Sequence, residues 1–73
     1  MERAVIEEHL ALAERHVAQG EGHIRQQREL IVRLEREGQE SAEARRLLNT
    51  FEELQGLHVA DRNRLQAELD GAS

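Results

Sequence analysis

A stripe of mostly apolar residues runs through the first half of the chain in alternating steps of four and three: Ile6, Leu10, Ala13, Val17, Gly20, Ile24, Gln27, Ile31 and Leu34. Residues so spaced fall on one face of an α-helix, and a face this narrow and this regular is built to pack against another helix. The pattern predicts a single helix over about residues 2–37, roughly 50 Å long at about 1.5 Å per residue.

The stripe stops at Glu37-Gly38-Gln39-Glu40-Ser41. Gly38 is suited to the left-handed backbone conformation that closes a helix. Ser41 can cap the next helix by accepting a bond from a free amide one turn on, and Glu43 favours the positive end of that helix's dipole. A second helix is expected over about residues 42–69, with a seam of Leu47 or Leu48, Phe51, Leu54, His58, Asp61, Leu65 and Leu69, and Gly71 is a plausible stop. A turn spanning 38–41 leaves the helices no choice but to lie antiparallel as neighbours. The fold class is therefore all-α, and residues 1–73 form one helical hairpin. Folding it about the middle of the turn places residues whose numbers add to about 80 at equal height. Leu34 then meets Arg46 and Leu47, Ile31 meets Leu48, Gln27 lies near Phe51, and Leu10 meets Leu69. Gly20 and His23 flank the level of His58, in a middle more polar than the ends.

Composition decides how such a hairpin is stabilised. With 73 residues the chain is near the lower limit for an independent core, and chains of this size usually add disulfides, a metal or a partner subunit. There is no Cys, so disulfides and thiolate metal sites are excluded. Val5, Leu12, Leu30, Val32, Leu57 and Val59 lie beside the seams or beyond them. Two hairpins pairing into a four-helix bundle would cover a wider stripe on each helix. The expected partner is a second copy of the chain. The expected core and interface residues are Ile6, Leu10, Val17, Ile24, Ile31, Leu34, Leu48, Phe51, Leu54, Leu65 and Leu69.

Charge removes other classes of function. The formal net charge is −5, the opposite of the basic stripe that phosphate neutralisation requires, so no nucleic-acid partner is expected. No apolar run approaches the ~18 residues of a membrane span, and the first residues lack the basic start and apolar stretch of a secretion signal. A cytoplasmic location is the expectation. Glu21, Arg25, Glu29, Arg33 and Glu37 alternate in sign at four-residue intervals, as on a solvated helix face.

The histidines are the candidates for chemistry. His9, His16 and His23 recur every seven residues at the edge of the first seam, too far apart along the axis for one ion to hold two of them. They read as amphipathic edge residues, with a pH-sensitive dimer surface or interfacial metal sites as alternatives. His58 occupies the second seam, with Asp61 one turn later. His58, Asp61, Gln27 and Gln55 read as a polar set that bonds across the seam and fixes register. The alternative is a metal- or small-ligand-binding module in which His58 and Asp61 meet His23, or His16, from the first helix. Gly20, Gly22 and Gly56 each cost a helix about 1 kcal/mol relative to Ala. Gly20 and Gly56 come close in this register, which points to close helix packing, a bend or a groove. Catalytic constellations are missing: no Cys nucleophile, no Gly-rich phosphate loop, and carboxylates spread over solvated faces. No enzymatic activity and no cofactor are expected.

Two runs, His23-Ile24-Arg25-Gln26-Gln27-Arg28-Glu29-Leu30-Ile31 and Leu47-Leu48-Asn49-Thr50-Phe51-Glu52-Glu53-Leu54-Gln55-Gly56-Leu57-His58-Val59-Ala60-Asp61-Arg62, resemble stretches of short helical proteins of alphaproteobacteria, rhizobial relatives especially. The likeness covers roughly residues 10–69. It implies a small soluble bacterial protein. That group carries no assigned activity, so the resemblance supplies no site residues. The function expected from the residues themselves is a small interaction or adaptor protein that acts by homodimerisation and by helix-mediated partner binding.

Overall fold

The computed structural model describes residues 2–72; the terminal positions Met1 and Ser73 lie outside the described residues. Two helices form, α1 over Arg3–Arg36 and α2 over Ala42–Gly71, and they pack against each other as an antiparallel hairpin 56 Å long and 14 × 13 Å in section. Both helix boundaries fall within two residues of those the sequence predicts.

The turn shows why the chain reverses where it does. Gly38 takes φ +72°, the only positive φ among the described residues. Its amide donates to the Glu35 carbonyl at 3.1 Å, and the Gln39 amide reaches back to Leu34 at 2.8 Å. These two bonds satisfy carbonyls that the end of α1 would otherwise leave unpaired, and they require a left-handed residue at Gly38. The start of α2 differs from expectation. Ser41 is the residue preceding the helix, but its φ of −116° and ψ of 3° are not the extended geometry of a capping serine, and its hydroxyl caps no amide. The Glu40 carboxylate accepts from the Ala42 amide at 2.9 Å instead, and Ser41 Oγ accepts from Arg45 Nε at 3.4 Å.

The α1 seam is the one the spacing predicts. Ile6, Leu10, Ala13, Val17, Gln27 and Ile31 are buried, and Gly20, Ile24 and Leu34 are half-buried. The α2 seam is corrected at two positions. It runs through Ala44, Leu48, Phe51, Gln55, His58, Arg62, Leu65 and Leu69, again in steps of three and four, while Leu54 and Asp61 are exposed beside it. The register is also shifted. Leu10 packs with Leu65 and Gln55 covers Gly20, so facing residues add to about 75 rather than 80. The reason is layer matching. Both seams alternate in the same order, and a total of 75 sets each seam residue of α1 from Ile6 to Ile31 opposite one of α2, whereas 80 sets Leu10 opposite Asp70. Matching of layers overrides the midpoint of the turn.

Two glutamines lock this register. Gln27, 8% exposed, donates from Nε2 to the Ala44 carbonyl at 2.9 Å, and Gln55 Nε2 donates to the Val17 carbonyl at 2.9 Å. Gly20 provides the space for Gln55: a Cβ there would sit 1.8 Å from Gln55 Oε1. Gly56 faces open space, so the expected approach of Gly20 to Gly56 does not occur. The core is thin. Leu65 is the one buried residue of α2, in a cluster with Leu10, Ala13 and Leu69.

Candidate functional site

The hairpin has two flanks of opposite character. Along one, charged residues bracket the seam. Arg28 reaches Glu52 at 3.9 Å, and Arg45 pairs with Glu35, so ion pairs bridge α1 to α2 on that side. The alternating ladder from Glu21 to Glu37 forms no pairs of its own among the described residues; the intrahelical pairs are Arg3–Glu7 at 2.9 Å and Arg64 with Asp61 and Glu68 at 2.6 and 2.9 Å. A furrow of about 730 Å³ opens on this side of α1 over Ile24 and Val32, walled by Arg25, Arg28, Arg33 and Arg36 with Glu21 and Glu29. The arginines lay their alkyl stems along it and keep their charges in water.

The other flank is uncharged over most of its length. His9, His16, His23 and Leu30 follow at seven-residue intervals on α1, and Leu47, Leu54, Asp61 and Glu68 do the same on α2. Leu47 and Leu54 are 44% and 46% exposed, and Leu12 and Leu57, one turn from them around the helices, are 46% and 68% exposed. Between the two rows lies a groove of about 270 Å³ lined by His16, Gln19, Gly20, His23, Phe51, Leu54, Gln55 and His58.

The histidines within this groove pair selectively. His16 approaches His58 with ring centroids 5.2 Å apart and planes tilted by 46°. His23 lies against Phe51 at 5.5 Å, not against His58. Of the two α1 histidines expected to reach His58, His16 does so. His16 and His58 are half-buried; His9 and His23 are exposed. Asp61 does not join them. Its carboxylate accepts from Arg64 at 2.6 Å, and that bond, with Glu68 adding to it, holds the Arg64 guanidinium above its ordinary pKa. The polar set expected to fix register thus divides: Gln27 and Gln55 bond across the seam to backbone carbonyls, His58 stacks on His16, and Asp61 turns outward. Gln55 Oε1 is buried and without a hydrogen-bond partner. Among the described residues no three His, Cys, Asp or Glu side chains converge on one point.

Arg62 is the seam residue that the sequence hides, and Gln55, expected to bond across the seam, takes the seam position given to Leu54, because the polarity of both argues against burial. The signal was present in the spacing, since steps of three and four back from Leu69 and Leu65 land on both. No helix among the described residues is long and apolar enough to cross a membrane. Comparison with protein-family models, curated proteins and solved structures finds no match to this chain.

Proposed function

We propose that this chain is a small non-catalytic interaction protein that works as a homodimer, two hairpins packing through their histidine and leucine flanks into a four-helix bundle whose outer faces engage a protein partner in the cytoplasm. The observation that carries this reading is that Leu12, Leu47, Leu54 and Leu57, four of the five exposed large apolar residues among the described residues, lie on the flank without ion pairs between the helices, with Val32 alone on the other. Contiguous exposed apolar surface of this kind marks an interaction site. Two-fold pairing of one flank with its own copy is the commonest way to cover it. The non-catalytic part of the reading rests on the carboxylates. All of them are exposed on the helix surfaces, with none gathered into an enclosed cleft.

Sedimentation equilibrium tests the dimer. Wild type at tens of micromolar should give twice 8.4 kDa. Leu47→Glu should lower the mass to that of one chain while keeping the helical circular dichroism. A wild type that sediments as a single chain at that concentration refutes the proposal. A pull-down from the native host, with Leu47→Glu as the control bait, then identifies the partner.

A further inference from the structure

His16 and His58 come from different helices, and no sequence neighbour places them together. Their ring centroids are 5.2 Å apart. Two imidazoles bound to one tetrahedral zinc ion have a defined separation. With zinc–nitrogen bonds of about 2.0–2.1 Å and a nitrogen about 1.2 Å from its ring centre, each centroid lies about 3.2 Å from the metal, and a tetrahedral angle sets the two centroids about 5.2 Å apart. The observed spacing matches. The surroundings match as well. Both rings are half-buried and line the groove. No ion pair occupies the groove, and Asp61 on the same flank is engaged by Arg64.

We propose that His16 and His58 form a two-imidazole site for a borderline divalent cation of the zinc type, a clamp that ties α1 to α2 across the polar middle of the hairpin. Imidazole is the ligand such ions share with few competitors among hard cations, so magnesium and calcium are not bound. Water would fill the remaining coordination positions. The clamp ties the helices where the layers on either side, Ala13 with Arg62 and Gly20 with Gln55, bury little apolar surface. Both ligands come from one chain, on the flank that the proposed dimer would cover, so the single-chain form must bind as well.

Titration of the intact chain with zinc chloride, followed by calorimetry, should show one ion bound per chain. Saturating zinc should raise the melting temperature by about 5 °C or more, since the ion binds the folded hairpin and not the separated helices. His16→Gln and His58→Gln should each abolish both effects, and His9→Gln and His23→Gln should leave them intact. Ring proton and nitrogen resonances of the unaltered chain provide a readout that needs no substitution: zinc should move the signals of two histidines, those missing from the His16→Gln and His58→Gln spectra. Magnesium should move none. In Leu47→Glu the zinc response should persist, which separates this site from the dimer; its loss there would overturn a site contained in one chain. The proposal fails if millimolar zinc produces no heat and no shift in melting temperature. It fails equally if the response survives His16→Gln, or disappears with His9→Gln or His23→Gln.

Discussion

Two glycines inside helices should respond in opposite directions to the same added methyl group. Gly56 has nothing within 4 Å of the position a Cβ would occupy. Gly56→Ala should therefore realise the full gain in helix propensity, about 1 kcal/mol. At Gly20 the new Cβ would lie 1.8 Å from Gln55 Oε1 and 2.7 Å from its Cδ. The Gln55 side chain must leave, and with it goes the 2.9 Å bond from Nε2 to the Val17 carbonyl. Losing that bond costs about 1 kcal/mol, and wedging a methyl group between α1 and the stem of Gln55 adds about 1 kcal/mol at the low end of overpacking costs. Against a propensity gain of about 1 kcal/mol, Gly20→Ala should be net destabilising by roughly 1 kcal/mol. The two variants should therefore lie on opposite sides of wild type, each displaced by about 4–8 °C in melting temperature. Thermal and urea unfolding followed by circular dichroism, at one fixed chain concentration, measures both. Adding Gln55→Ala to Gly20→Ala should recover stability relative to Gly20→Ala alone, because the clash and the unpartnered Oε1 disappear together. If Gly20→Ala raises the melting temperature as much as Gly56→Ala, the packing of Gln55 on Gly20 is refuted, and with it the register of about 75.

Gly38→Val should lower stability by about 1–2 kcal/mol, since φ of +72° is strained for a β-branched residue; an unchanged urea midpoint would place the turn elsewhere. Gln27→Ala removes a buried bond to the Ala44 carbonyl and should cost about 1 kcal/mol or more, read in the same unfolding assay, with no cost expected if the side chain were solvated. Arg45→Ala breaks the exposed interhelical pair with Glu35 and should cost less than about 1 kcal/mol; a larger loss would show that the charged flank holds the hairpin together.

What was legible in the sequence followed from how sharply each residue type chooses a side. In α1 the stripe from Ile6 to Leu34 contains aliphatic residues that have no good alternative to burial, and the structure buries or half-buries all of it. In α2 the choice was divided between neighbours. Leu54 competes with Gln55, and Asp61 with Arg62, and the apolar choice at 54 is the wrong one because layer order is set by the partner helix, not by local hydropathy. Gln55 is tolerable in the seam only because Gly20 faces it and Val17 offers a carbonyl, a coincidence of two segments that spacing along one of them cannot reveal. Gly38 was readable because one backbone conformation suits it so well. Ser41 was not, because its residue type permits a cap that the path out of the turn does not let it make. The pairing of His16 rather than His23 with His58 followed from the register, which a shift of five in the facing total was enough to change.

The matched layers also govern how the chain can change in length. From Ile6 to Ile31, each seam residue of α1 faces one of α2 about a total of 75. Deleting a residue from one arm rotates everything beyond it by about 100° and puts two mismatched stripes face to face. Removing one heptad from each arm at the same height restores every layer, with the turn untouched. The hairpin can be shortened or lengthened only in such paired steps, so natural length variants of this chain should differ by balanced heptads in both arms, and an unbalanced insertion should be found only in the turn or beyond the last layer.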